Sequence, residues 1–316
     1  KLDDVLVDGT GNWTWTPATP LPNGTYDITL TVTNMDGTGN ESAPSQPVTI
    51  TIDTDAPTAP AAPVITDSVS QITGPVPDGG TTNDPRPVLS GTGTANDVIN
   101  ITDTVNGTPT IVGTVTVDSN GNWSWRPDSN IGEGSHVYTA TATDEAGNVS
   151  DPSPAITITV DTVAPDVPVF DAVGGQPNGG LITDATPTVG GTGTTGDTVI
   201  VYNNGVEVGR VDVVNGEWSF VLPPQQDGLL NITVAGVDAA GNVSAPSPVV
   251  SVTLDTLAPE VPAITEVEGS QLSNNLLYTN DGTPTLTGTG EPGATVIVSI
   301  DGTPSGAPVT IQSDGS

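Results

Sequence analysis

The motif Asp-Thr-x-Ala-Pro occurs three times, at Asp53–Pro57, Asp161–Pro165 and Asp255–Pro259. Asp53 and Asp161 stand 108 positions apart, Asp161 and Asp255 94 apart, each the length of one small domain. A period of this size constrains the chain to a tandem array before any residue-level reading begins. Two more motifs keep step with it. Pro-x-(Leu/Val)-x-Gly-Thr-Gly lies at Pro87–Gly93, Pro187–Gly193 and Pro284–Gly290, and Gly-x-Trp-x-(Trp/Phe) at Gly11–Trp15, Gly121–Trp125 and Gly216–Phe220. Ahead of the linker, Asp144-Glu145-Ala146-Gly147-Asn148 is echoed by Asp238-Ala239-Ala240-Gly241-Asn242, with a looser version around Asp36 to Asn40.

These motifs divide the chain into residues 1–55, the C-terminal half of a repeat; 56–161 and 162–255, two complete repeats; and 256–316, the N-terminal half of another. Lys1 stands in mid-repeat, so the chain reads as a piece of something longer. Neither half carries the opposing sheet that would cover its apolar face, so neither is expected to close a domain alone.

Apolar residues alternate with Thr in Ala155–Val160 and again in Val137–Thr143, the period of a strand buried on one side. Asn106-Gly107 between Val98–Asp103 and Thr110–Val117 predicts a hairpin. The complete second repeat then holds seven strands: A near Val64–Ile72, B at Pro87–Gly91, C at Val98–Asp103, D at Thr110–Val117, E at Trp123–Pro127, F at Val137–Thr143 and G at Ala155–Val160. The expected fold is all-β: tandem immunoglobulin-like β-sandwich domains of about seven antiparallel strands each, arranged as an elongated rod. An odd strand count brings the chain in at a leading end and out at a trailing end. It also places the Asp-x-Ala-Gly-Asn loop of one repeat opposite the linker arriving from the repeat before.

Charge and composition exclude several functions. The chain has 4 Lys and Arg against 37 Asp and Glu, a net charge of −33, which repels nucleic acid and anionic lipid but attracts divalent cations. With no cysteine there is no disulfide framework, thiolate metal site or thiol nucleophile. High charge with few aromatics is also a mark of disorder, but the strict alternation argues for strands. No stretch approaches the apolar length of a membrane span, and no signal peptide opens the chain.

Acidic residues recur where repeats meet. At the joint between the complete repeats, the linker brings Asp161, the preceding repeat Asp84, and the following repeat Asp238, Asn242 and Asp197. Asp53 and Asp55 meet Asp144, Asn148 and Asp97 at the joint before it, and Asp255 and Asp184 meet Glu291 at the joint after it. Gathered carboxylates repel unless a cation neutralises them, and Ca²⁺ accepts roughly six to eight oxygens. The plainer explanation is that Asp and Asn are good turn residues. Their recurrence at the same end of each repeat favours Ca²⁺.

The paired Trp13 and Trp15, and Trp123 and Trp125, share a strand face and are read as core anchors rather than a sugar platform. His136, the single histidine, is read as a surface residue, since no second imidazole or cysteine exists to make a zinc or catalytic site. Acidic loops without an elaborated pocket do not make a glycosidase, so no enzyme is expected. Asn-x-Ser/Thr triplets such as Asn231-Ile232-Thr233 are read as accidents of composition.

The four ordered motifs resemble the bacterial Ig-like (BIg) repeats of giant non-fimbrial adhesins of the SiiE/BapA type, across essentially the whole chain. The resemblance implies export by type I secretion, an extracellular home at the bacterial cell surface, and a long stalk rigidified by Ca²⁺ at its joints. It also implies a role in adhesion to host cells, biofilm and virulence. Asp53, Asp161, Asp255, Asp144 and Asp238 match the family's metal-linked positions. Asn34-Met35-Asp36-Gly37-Thr38-Gly39 departs from the pattern and puts a metal at that fragment's leading end in doubt. The expected partners are neighbouring repeats of the same chain, with no nucleic acid and no membrane insertion. The alternative is a repeat that itself binds a host glycan or protein, and the Thr104–Thr110 hairpin of the longer second repeat is where to look.

Overall fold

The computed structural model describes residues 5–33, 38–69 and 71–316. The first repeat's departure from the loop pattern falls at 34–37, outside the described residues. All regular structure among the described residues is β-strand.

In the first stretch β1 (Gly24–Ile28) and β2 (Val48–Ile52) pair antiparallel. The next repeat carries β3 (Val64–Asp67), β4 (Gly74–Val76), β5 (Gly80–Thr82), β6 (Val88–Thr92), β7 (Val98–Val105), β8 (Thr108–Thr116), β9 (Asn122–Trp125), β10 (Gly134–Thr143) and β11 (Ile156–Val160). One sheet has the order β4-β3-β6-β9 and the other β5-β11-β10-β7-β8. The immunoglobulin-like sandwich expected from the motifs is present, with nine strands where seven are predicted. Strand A does not run to Ile72: it stops at Asp67, and Gly74, Pro77 and the Gly79-Gly80 pair break the next stretch into two short pieces. The second of these crosses over to run parallel to β11. Nine is also odd, so the chain still leaves at the end opposite to where it came in. Asn106 and Gly107 both take positive φ, 51° and 76°, as a tight turn between β7 and β8 requires.

Residues 162–255 repeat this plan with β12 (Ala172–Val173), β13 (Gln176–Pro177), β14 (Leu181–Ile182), β15 (Thr188–Thr192), β16 (Thr198–Asn203), β17 (Val206–Asp212), β18 (Glu217–Val221), β19 (Gly228–Val237) and β20 (Val250–Leu254). Their sheet orders, β13-β12-β15-β18 and β14-β20-β19-β16-β17, are those of the preceding repeat shifted by nine. Residues 256–316 carry four short two-stranded pairings. By internal packing the chain falls into two units, one of residues 1–170, 190–220 and 232–249, the other of 171–189, 221–231 and 250–316.

The core of 56–161 is Ile65, Leu89 and Trp123 on one sheet and Ile99, Ile101, Tyr138, Ala140, Ile158 and Val160 on the other. Each large apolar side chain so buried stabilises the fold by about 1.5–3 kcal/mol. Two of the repeating motifs are one packing device. Gly91 leaves room for the Trp123 indole, where an added Cβ would stand 2.7 Å from the ring. The Thr92 carbonyl accepts the indole N–H at 3.3 Å, and Gly93 N donates to Gly121 O at 3.0 Å. Thr192 with Trp218 and Gly193 with Gly216 repeat the arrangement at 3.2 and 3.1 Å.

Trp123 and Trp218 are buried, as core anchors should be, whereas Trp13 of the first stretch is 48% exposed. Among the described residues none before Pro60 is buried, and Ile311 alone is buried after Leu254. An apolar groove of about 520 Å³ opens between Ile264, Leu286, Val296 and Ile311.

The surface placement expected for His136 is corrected. It is 3% exposed, with Nδ1 2.7 Å from Asp103 Oδ2 and Nε2 2.9 Å from the Gly132 carbonyl oxygen. Its position on β10 puts it on the inward alternation with Tyr138, on which its ring stacks at 6.1 Å. With an acceptor beside each ring nitrogen inside its own repeat, His136 is placed as a core residue.

Candidate metal site at the joints between repeats

Each part of the Asp-Thr-x-Ala-Pro linker has a separate structural task. Asp53, Asp161 and Asp255 each accept a hydrogen bond through Oδ1 from the backbone N–H two residues on, at 3.0, 3.0 and 3.1 Å. That is turn chemistry. The next residue, Thr, is held by the residue just ahead of β1, β10 or β19 in its own repeat: Thr54 by Asn23, Thr162 by Glu133 and Thr256 by Asp227. These bonds hold Glu133 below the usual carboxylate range. The linker carbonyl then meets the next repeat. Asn148 donates its side-chain amide to Asp53 O at 3.1 Å, and Asn242 donates to Asp161 O at 2.8 Å.

Asn148 and Asn242 are themselves aimed by the acid four residues earlier. Asp144 accepts both the backbone N–H and the side-chain amide of Asn148, at 2.8 and 2.9 Å. Asp238 does the same for Asn242, at 2.9 and 2.9 Å. These bonds, led by the Asn148 side chain, depress the Asp144 acid.

Asp97 and Asp197 occupy the neighbouring loop at the leading end. Asp97 is 5% exposed, and its Oδ2 has no hydrogen-bond partner. Burial raises its pKa first, then the negative charge of Asp144 and, further off, Glu145. Asp197 is raised likewise by burial, then by Asp238 and Asp166. Glu291, the counterpart in the last stretch, accepts the backbone N–H of Glu260 at 3.1 Å. Asp166 and Glu145 are the acids that sequence reasoning missed. Asp166 comes directly after the linker proline, and that adjacency was the available signal.

The other expected ligands have different settings. Asp84 is committed inside its own repeat: its carboxylate accepts Ser68 Oγ at 2.6 Å and Arg86 N at 2.8 Å, with Arg126 at 3.4 Å. Burial raises its pKa, but these donors outweigh burial and hold it low. Asp184 is exposed and caps a turn at Thr186, at 2.8 Å. Asp55 is exposed beside Asp53.

The donors at the joints are all oxygen, the preference of Ca²⁺, and a buried carboxylate oxygen without a partner next to a second carboxylate fits a hard cation. Among the described residues no three acidic or imidazole side chains converge closely enough to hold a metal by themselves. A Ca²⁺ ion there would have to take most of its shell from carbonyls and water.

Three stretches of the chain, residues 2–54, 58–162 and 168–256, match the bacterial Ig-like domain family. Exoglucanase B of Cellulomonas fimi is 37% identical over 141 residues, a match covering 40% of this chain and 12% of that protein. Among solved structures, the fibronectin(III)-like modules of Clostridium thermocellum CbhA align over 60% of this chain and 93% of theirs, at 14% identity and a TM-score of 0.37. A tetra-tandem repeat in the extending region of a large adhesion protein aligns over 98% of this chain and 77% of its own, at 20% identity and a TM-score of 0.27. With three successive stretches matched, the chain belongs to the bacterial Ig-like domain family.

Proposed function

We propose that this chain is a stalk segment of a bacterial surface adhesin of the SiiE/BapA type, exported by type I secretion, and that Ca²⁺ at the joints stiffens its repeats. It acts outside the cell in adhesion to host cells or in biofilm, and it is not an enzyme. The observation that carries the metal reading is Asp97: a buried carboxylate with an unpartnered oxygen, beside Asp144 at the end of the repeat that receives the linker. Asp97, Asp144 and the Asp53 linker at one joint, and Asp197, Asp238 and the Asp161 linker at the next, would hold the ion. Bound there, Ca²⁺ supplies positive charge that offsets carboxylate repulsion. The residues themselves order the linker through Asn148 and Asn242 whether or not the ion is present.

Thermal melting of the 316-residue chain in millimolar Ca²⁺, in chelator and in Mg²⁺ tests this. A ligand that binds only the folded state raises the midpoint by mass action. Ca²⁺ is expected to raise it and chelator to reverse the rise, with Mg²⁺ ineffective. Identical melts in all three would leave the acids as turn residues only.

The likeness to an exoglucanase favours a second reading, in which such repeats space or aid the binding domains of a longer glycan-directed protein. A glycan array probed with the whole chain decides it: hits favour this reading, and a blank array removes it.

A further inference from the structure

The joint between 56–161 and 162–255 carries a contact that involves no acidic residue. Ile72, at the tip of the β3–β4 hairpin, stands over Gly241 in the loop between β19 and β20. A Cβ added to Gly241 would lie 3.3 Å from Ile72 Cγ1 and 3.5 Å from Asn83 Nδ2. Next to it, Arg210 of β17 donates through Nη2 to Gln71 Oε1 at 3.3 Å. Arg210 also pairs with Glu207 at 2.9 Å, so one of only four basic residues in a chain of charge −33 sits at this joint. Gln71 holds φ at 89°, an uncommon conformation for a residue with a side chain, which turns the hairpin tip at the contact.

The preceding repeat supplies an internal control for the hairpin. Ala240 and Gly241 are buried, whereas Ala146 and Gly147, the same loop positions one repeat earlier, are exposed, and an added Cβ at Gly147 would meet nothing within 4 Å. Among the described residues no hairpin stands over Ala146 and Gly147. The burial at 240–241 therefore comes from the covering hairpin and not from the loop's own fold.

The hairpin is also an extension. From Pro57 to Pro87 is 30 positions, whereas Pro165 to Pro187, the same interval one repeat on, is 22. In the longer repeat residues 68–73 join the two strands; in the shorter one the Gly174-Gly175 turn does. Most of the length difference between the repeats thus lies here, and it ends in the apolar side chain that reaches the neighbour.

We propose that Gln71 and Ile72 of one repeat and Arg210, Ala240 and Gly241 of the next form a metal-independent latch, so that this joint keeps its arrangement when Ca²⁺ is withdrawn. Joint stiffness is then set by two devices: acidic residues that respond to the ion, and hairpin length, which does not. The φ of 92° calls for glycine at 241, as at Gly147, and here an added Cβ would also press on Ile72. The latch goes beyond the Ca²⁺ reading and does not depend on it.

The absence of cysteine allows a clean test. Thr110→Cys and Glu217→Cys, both at exposed positions, place one spin label on each repeat of the full chain. The distance distribution is then measured by pulsed electron resonance in excess chelator. The latch predicts a narrow distribution, broadened about twofold by Ile72→Asp, as a hinge sampling several arrangements would be, and restored by Ile72→Leu. A distribution equally broad with and without Ile72→Asp overturns the proposal, as does one that Ile72→Asp leaves narrow. Because every arm is read without Ca²⁺, a failure of the metal reading leaves this outcome untouched.

Discussion

Asn242 Nδ2 lies 2.8 Å from the backbone carbonyl oxygen of Asp161, so a side chain of one repeat holds the last residue of the repeat before it. The same bond joins Asn148 to Asp53. It explains why Asp-Thr-x-Ala-Pro and Asp-x-Ala-Gly-Asn travel together in the sequence: one offers the carbonyl, the other aims the amide.

Replacing Asn242 by Ala removes that bond and the amide's contact with Asp238. A hydrogen bond of this kind contributes about 0.5–1.5 kcal/mol. The expected result is a small drop in the melting midpoint and a wider inter-repeat distance distribution in the spin-labelled chain. An unchanged distribution would show that the linker is ordered without Asn242.

Gly91→Ala places a methyl against the Trp123 ring. Overpacking of this sort costs about 1–3 kcal/mol. Urea unfolding followed by tryptophan fluorescence should show that loss, and a loss below the lower bound would mean the indole shifts freely.

His136→Ala leaves the Asp103 carboxylate buried without its imidazole. Leaving a buried acceptor without its partner costs about 1–3 kcal/mol. Equilibrium unfolding should find His136→Ala among the most damaging single changes in 56–161, whereas an effect of surface size would contradict the buried placement.

The acids at the joints predict opposite responses to pH. Asp97 and Asp197 have raised pKa values, so in chelator their contribution to stability falls as pH rises through those values, where the folded state binds the extra proton. Asp84 and Asp144 are depressed, and the stability they give is present above the ordinary carboxylate value, about 4, and lost as pH falls through their folded values. Melting in chelator should therefore peak near the ordinary carboxylate value, and Asp97→Asn should flatten the fall above it. Added Ca²⁺ should remove that fall in the parent chain and not in Asp97→Asn.

Strands B to G of the second repeat were legible because alternation with Thr and the Asn-Gly turn follow from local geometry. The β3–β4 hairpin was not: Val64–Ile72 reads as one strand, and only tertiary pairing shows that it ends at Asp67 and that Ile72 serves the neighbouring repeat. His136 misled for a similar reason. A lone histidine suggests exposure, yet its place on the inward alternation of β10 with Tyr138 was available in the sequence and points to burial. At the joints, residue type and loop placement identified the acids. Whether an acid is spent on a turn, as Asp184 is, or left unpartnered, as Asp97 Oδ2 is, depends on side-chain packing that no motif states.

Small-angle X-ray scattering of the 316-residue chain, in Ca²⁺ and then in chelator, tests the central claim most directly. The account predicts a larger maximum dimension and a more rigid scattering profile in Ca²⁺, both reduced on chelation as the joint at Asp53, which lacks the Ile72 latch, loosens, and restored by adding the ion back. Profiles that superimpose in the two conditions would contradict it.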